Sequence, residues 1–299
     1  MKTIVTIYVL IGCLFVSMFA KAKNPFITKA DIIAQFDISP NNQQLCCKWW
    51  GADGMFKFRI MDLSTKKVQD IDSISARKTA ALYFSDGVSF LSDNLLLIGK
   101  DKAILSYDLK RHEYSKLFNL STLWSNTPRT LAVAKDKKGV YLLDENIYYA
   151  DLRTGIQDSV CLGQEAFVVD ISATANNQVI YGIREKDEKG NRMYQIWIWN
   201  GQEPPVNLTE QFSKVLKVPY LVEATSNPDL YIVANLEGVY RFDKYAQKAT
   251  KLVDNPEEDP VIRMRVSDDN QTIYYLTVNH RAVVKTMDMD GKQGESISF

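Results

Sequence analysis

The sequence is poor in the residues that most enzyme chemistries need. Its 299 residues hold two histidines and four cysteines. His112 lies beside the turn at Asp108, and His280 lies in the turn Asn279-His280-Arg281. Both therefore read as exposed turn residues, which leaves no imidazole for a Ser-His-Asp triad or a His-ligated metal. No G-x-S-x-G, Gly-rich phosphate loop, zinc spacing or sialidase-type Asp box is present, so no metal and no cofactor is expected. Neither sign of charge is in excess, with 36 Lys and Arg against 36 Asp and Glu. No basic block stands out, so nucleic acid is not an expected partner.

A cysteine framework is also missing. Cys46 and Cys47 are sequence neighbours, and neighbours on a strand point to opposite faces. They read as small strand residues, with a bridge from Cys161 to one of them left open. The fourth, Cys13, falls in an N-terminal segment that reads as a secretory signal. Lys2 supplies the positive start, Ile4 to Ala20 is the apolar run, and Ala20-Lys21-Ala22 places small residues for cleavage after Ala22. Residues 1–22 are thus expected to be a signal peptide, giving an exported protein. Two other readings of the same segment are an uncleaved membrane anchor and a lipoprotein, since Leu10-Ile11-Gly12-Cys13 resembles a lipobox.

What the chain has in quantity is one recurring unit. Six times an alternating apolar segment runs into an acidic or amide turn, at Asp62, Asp108, Asp151, Asn200, Asp243 and Asp288. Successive spacings are 46, 43, 49, 43 and 45 residues, read directly from those positions. A period near 45 with several strands per unit signals β-propeller blades. The first unit shows the parts: FDIS, the turn PNNQ, QLCCKWW, a GADG loop, MFKFRIM and KKVQDID. Period-2 alternation rich in Val, Ile, Tyr, Phe and Trp supports strands, while Asn, Asp, Gly and Pro clusters mark turns. The expected fold is all-β, a single six-bladed propeller over 23–299 with four antiparallel strands per blade. Its blades are placed at about 31–78, 79–124, 125–164, 165–212, 213–258 and 259–299. The recurrent Asp or Asn is expected to hydrogen-bond backbone two residues on, fixing the hairpin between third and fourth strands. Residues 209–220 are expected to make one or two helical turns. The sixth unit ends in its own fourth strand, ESISF, so closure does not require the N-terminus.

These units resemble the TolB-like, WD-like-repeat propellers of bacterial envelope and secreted proteins. The family repeat runs roughly SPDG, apolar strand, loop, strand, D-turn, G. ISPNNQQL from Ile38 and VSDDNQTIYYL from Val266 fit its opening, and the stretch from Ile171 to Thr209 follows the whole pattern. The unit from Leu230 is similar to the propeller repeats of bacterial sensor ectodomains. The SPDG glycine is missing from most copies, and the second and third units are degenerate. The resemblance implies a periplasmic or secreted propeller that binds a partner, and it brings no catalytic residues with it.

Candidate site residues are sought where the repeat breaks. Aligning the units at the turn after each innermost strand gives a channel ring of Asp37, Phe90, Ala132, Asp170, Glu223 and Arg265. Three acids and one Arg facing a channel have the means to hold a cation or a ligand amine; the plainer reading is a channel wall with internal ion pairs. A one-residue slip would send such side chains to the other face. Trp124 and Arg129, in the connection between blades two and three, are candidates for a rim pocket. Strand-borne Trp197 and Trp199 read as core between blades. The charged hairpin Arg184 to Met193 is expected to overhang one mouth, and Arg184 is its candidate contact. The expected function is a non-catalytic binding or scaffold module, monomeric, for a protein or glycan partner at a propeller mouth. The alternative is a carboxylate-dependent glycan hydrolase or lyase using Asp37, Asp170 and Glu223. A third option is a purely structural envelope component.

Overall fold

A computed structural model describes residues 31–51, 55–75, 87–100, 103–120, 130–144, 146–162, 166–186, 190, 192–217 and 219–299. The signal segment, Trp124 and Arg129 lie outside them. Six four-stranded antiparallel sheets form a six-bladed β-propeller, all-β with almost no helix. Blade 1 is β1 (Ile32–Ile38), β2 (Gln44–Trp50), β3 (Met55–Asp62) and β4 (Val68–Ser75). Blade 2 is β5 (Val88–Ser92), β6 (Leu95–Lys100), β7 (Ala103–Asp108) and β8 (Glu113–Asn119). Blade 3 is β9 (Thr130–Val133), β10 (Gly139–Leu143), β11 (Ile147–Asp151) and β12 (Gly155–Val160). Blade 4 is β13 (Phe167–Ala173), β14 (Val179–Lys186), β15 (Arg192–Trp199) and β16 (Val206–Asn207), followed by the short helix α1 (Thr209–Ser213). Blade 5 is β17 (Leu221–Ala224), β18 (Leu230–Ala234), β19 (Gly238–Asp243) and β20 (Lys248–Asp254). Blade 6 is β21 (Val261–Val266), β22 (Thr272–Thr277), β23 (Val283–Asp288) and β24 (Gln293–Ser298).

The first strand of each blade is innermost, and these six strands neighbour one another in sequence order around the ring. Each blade buries both faces against its neighbours, so the core is divided among the six blade junctions. Phe36, Trp49, Leu276 and Val284 pack blade 1 on blade 6, while Cys46, Phe58, Leu96 and Ile98 pack blade 1 on blade 2. Tyr141, Tyr181 and Trp199 fill the junction of blades 3 and 4, with Trp197 half-buried against it. Every sheet is drawn from one contiguous stretch, so the ring closes by packing. At the closure Ile33 N–H donates to Arg281 O at 2.8 Å, Arg263 Nε donates to Ala34 O at 2.8 Å, and Lys66 meets Glu295 at 2.7 Å. Cys46, Cys47 and Cys161 are all free thiols.

Because strands alternate in direction, the first-to-second and third-to-fourth turns lie on one face, here the turn face. The second-to-third loops and the blade-to-blade connections lie on the other, the connector face. The recurrent Asp or Asn closes every third-to-fourth hairpin. Asp62 Oδ1 accepts the N–H of Ser64 and Thr65 and both their hydroxyls. Asp108, Asp151, Asn200 and Asp288 likewise accept a backbone N–H two residues on, and Asp243 accepts one three residues on.

The missing SPDG glycines have a local explanation. That position has positive φ, and here Asn42 (57°), Lys137 (61°), Asn177 (59°) and Asn270 (55°) occupy it. Asn tolerates the left-handed region, whereas Lys has no such compensation. Lys137→Gly is therefore expected to stabilise the fold by ~0.5 kcal/mol, strain relief exceeding the entropy gained by the unfolded chain. Asn177→Gly should not stabilise, because Asn177 Oδ1 accepts Asp136 N–H at 2.8 Å. Urea denaturation of the two variants tests the contrast.

Candidate functional site

Strand pairing corrects the channel ring expected from sequence. Asp37 pairs with Cys46, Glu223 with Ile232 and Arg265 with Tyr274, and the equivalent pairs in blades 2 and 4 are Ser89 with Leu97 and Ser172 with Ile180. The equivalent ring is thus Asp37, Ser89, Ala132, Ser172, Glu223 and Arg265. Phe90 was off by one residue because the blade 2 turn is short, with Ser92 pairing Leu95. Asp170 was off by two because Asp170-Ile171-Ser172 repeats the letters of Asp37-Ile38-Ser39, whereas the residue that closes the blade 4 turn as Ser39 does in blade 1 is Thr174, bonded to Gln178 O.

Two residues before Ser172 on the same strand, Asp170 nevertheless joins the same cluster from one level deeper. Arg265 Nη1 donates to Asp170 Oδ2 at 3.0 Å and to Glu223 Oε2 at 3.2 Å, and Nη2 reaches Asp170 Oδ1 at 3.3 Å. Its Nε lies 3.9 Å from Asp37 Oδ1. Arg263, two residues earlier on β21, places Nη1 3.0 Å from Asp170 Oδ2. That contact is close but not aligned as a hydrogen bond, while Arg263 Nε is spent on Ala34 O. Asp37 Oδ2 also accepts Ser89 Oγ–H at 2.6 Å and Phe90 N–H at 2.9 Å. One guanidinium from blade 6 therefore ties together blades 1, 4, 5 and 6. Arg263 was not picked out by sequence reasoning, although two Arg at i and i+2 on one inner strand, IRMRV, are a readable sign of a shared cationic face.

Electrostatics follow from the count of charges. Three carboxylates meet two guanidiniums, and all but Arg263 and Asp37 are buried to about nine-tenths or more. Burial alone raises the Asp170 carboxyl, but Arg265 and Arg263 beside it hold it below the ordinary range. Burial pushes Glu223 up to about 7; Arg265 opposes that shift and the Asp170 charge adds to it. Glu223 is the surplus acid of the group and takes the proton first. Desolvation works against the charged Arg265, but its three carboxylates outweigh it and raise its pKa.

One ion pair spans the turn-face mouth of the channel. Lys135 and Asp268, from blades on opposite sides of the ring, meet at 2.7 Å. Beneath them a cavity of about 70 Å³ remains, lined by Asp37, Ser89, Glu223 and Arg265. That is room for a few waters, far below the hundreds of Å³ a ligand pocket needs. A larger cavity, of about 600 Å³, lies on the circumference between β8 and β12, and among the described residues that line it Asp158 is the one that carries a charge. Among the described residues no group of three or more His, Cys, Asp or Glu is placed to hold a metal ion, and no helix is long and apolar enough to cross a membrane.

The connector face, like the turn face with Val206 and Tyr245, exposes apolar side chains. Leu236, at the tip of the β18–β19 hairpin, is 61 % exposed, and Met193 and Val215 stand out on the same face at 40 % and 38 %. The Leu236 tip is held rigidly. Asn235 Oδ1 accepts the N–H of Glu237 and Gly238, and its Nδ2 donates to Lys217 O at 2.8 Å. Buried Asn255 links the same region to blade 6, donating to Tyr220 Oη and accepting Val261 N–H at 2.7 Å. Asp259 there accepts Asn279 N–H at 2.7 Å and faces His280 Nδ1 at 3.0 Å. Arg184, on β14, lies with its guanidinium 5.0 Å from the Phe167 ring on this same side, far along the strand from the Arg265 cluster. The sequence candidates therefore separate: Asp37, Asp170, Glu223 and Arg265 converge, and Arg184 stands apart.

Comparison with known proteins speaks to the fold. No protein-family model matches the sequence, and no curated protein matches it. Among solved structures, hydrazine synthase from Kuenenia stuttgartiensis aligns with a TM-score of 0.59 at 11% identity, over 89% of this chain and 98% of that one. TolB from Acinetobacter baumannii aligns with a TM-score of 0.56 at 12% identity, over 90% of this chain and 63% of the TolB chain. At such identities the likeness establishes a shared β-propeller architecture.

Proposed function

We propose that the chain is an exported, non-catalytic propeller that binds a protein partner through its connector face. The observation that carries this reading is the commitment of the channel acids. Asp170 is held by two guanidiniums, Asp37 by Ser89 and the Phe90 amide, and Glu223 by Arg265, behind a mouth spanned by Lys135 and Asp268. A two-carboxylate glycosidase needs both acids open to a sugar ring, and about 70 Å³ admits none. For a protein partner we favour the opposite face, where aliphatic side chains stand on hydrogen-bonded loops over blades 4 and 5. Exposed apolar groups on a rigid scaffold suit a protein partner. Export rests on residues 1–22, with their positive start, apolar run and Ala20-Lys21-Ala22.

The test compares the two faces. A photo-crosslinking amino acid is placed at Leu236 on the connector face and, separately, at Tyr245, which is 89 % exposed in a turn-face hairpin. Covalent adducts in the native envelope are expected from position 236 and not from 245. Adducts from 245 alone would move the site to the turn face, and none from either would favour a structural role. Glycan turnover lost in Asp170→Asn would sink the non-catalytic reading.

A further inference from the structure

Blade 4 departs from the other five at its outer edge. Fourth strands elsewhere run six to eight residues, as in β4 and β12, but β16 has two, Val206 and Asn207. Pro204 and Pro205 stand directly before it and bring no backbone N–H, and α1 begins directly after Leu208. Its third strand is at the same time among the longest, with all eight residues of β15 paired on β14. β16 covers only Trp197 and Ile198. Past them Leu208 N–H donates to Ile196 O at 2.7 Å, and Ile196 N–H donates to Thr209 Oγ1 at 3.0 Å. There the chain leaves the edge, and Phe212 of α1 turns in to pack with Ile196 and Phe242.

The consequence follows from the antiparallel ladder, in which both backbone groups of alternate residues point to the same side. Since Ile196 points outward, so do Tyr194 and Arg192. Among the described residues nothing hydrogen-bonds the outward N–H and C=O of Tyr194. Beside them Met193 is 40 % exposed on one face of the strand, and Tyr194 on the other lies 6.3 Å, ring to ring, from Tyr220. An uncovered strand edge is a template for another extended backbone.

We propose that the edge of β15 over Arg192–Gln195 binds an extended segment of a partner protein, which adds as a strand antiparallel to β15 and lengthens blade 4 toward the four-strand width of its neighbours. The segment lacks proline where it faces Arg192 and Tyr194, and it places one apolar side chain against Met193 and another against Tyr194 and Tyr220. This edge is distinct from the Leu236 tip and does not depend on that contact being correct.

The probe is a displayed library of random eight-residue peptides, selected on the full chain, with the winners made synthetically. Three results are expected together. Selected peptides bind wild type, they slow amide exchange at Tyr194, and their Kd rises at least tenfold in Tyr194→Pro. That variant removes an outward donor and leaves the β14 ladder its partners. Should it misfold, Met193→Asp tests the same edge through its exposed side chain, with the same loss expected. Peptides indifferent to both variants, or no enrichment at all, would overturn the proposal. So would a concentration-dependent dimer abolished by Tyr194→Pro, because the edge would then belong to a second copy of this chain.

Discussion

Arg265→Met is expected to remove about 3–5 kcal/mol of folding stability, the cost of breaking a buried pair from one side. In the wild type, Arg265 and Arg263 offset two of the three charges on Asp37, Asp170 and Glu223. The variant leaves three carboxylates, two of them buried, facing Arg263 alone, whose fork is partly spent on Ala34 O. For a chain of this size that is a fall of roughly 10 °C in Tm. Arg265→Lys should lie between the two, since an ammonium keeps the charge but not the fork that reaches Asp170 and Glu223 together. Lys135→Met supplies the comparison, because Lys135 and Asp268 are about one-third exposed. A pair screened to that degree contributes less than ~1 kcal/mol. Urea denaturation of the three variants decides the matter. A loss in Arg265→Met no larger than in Lys135→Met would mean that the cluster does not hold the blades together.

What could be read from the sequence was what is encoded locally. The D-turn Asp binds amides two or three residues away, so its copies recur at a spacing any reader can count, and they carry the blade number with them. Strand faces follow from alternation, which is why Trp199 was correctly assigned to the core. Register along the innermost strands is not local in that sense. The repeated letters Asp-Ile-Ser at Asp37 and Asp170 mark different places relative to the turn, and the blade 2 turn is short by one; each displaced a residue of the ring. Contacts across the channel are less legible still. Lys135 and Asp268 are 133 residues apart and Arg265 and Asp170 are 95 apart, so only ring closure brings them together. The channel acids looked free in sequence because the guanidinium that satisfies them belongs to another blade. The short β16 was half-visible, since Pro204 and Pro205 argue against a full fourth strand there, but the uncovered edge it leaves appears only once the ladder is drawn.

Stability should fall as pH rises from about 4.5 to about 7, and Glu223→Gln should abolish that fall. An acid whose folded pKa is raised binds its proton more tightly in the native state than in the unfolded chain. Between the unfolded value, 4.5, and the folded value of about 7, the native state therefore holds more protons, and stability declines with pH. The decline is about 3 kcal/mol at full extent, is complete above about pH 7, and is absent below the unfolded value. Asp170 has the opposite sign: its lowered pKa adds stability that is present above the unfolded value of 3.8 and is lost on acidification. Together these two groups place the maximum near pH 4, between the two windows. Glutamine at 223 keeps the volume, leaves two carboxylates to two guanidiniums, and removes the surplus charge. The variant should match wild type near pH 4 and be more stable at pH 8, so its urea midpoint should stay flat where the wild-type midpoint drops. Equal midpoints for the two proteins at pH 8 would show that Glu223 ionises without cost, and that the charge count does not govern the channel.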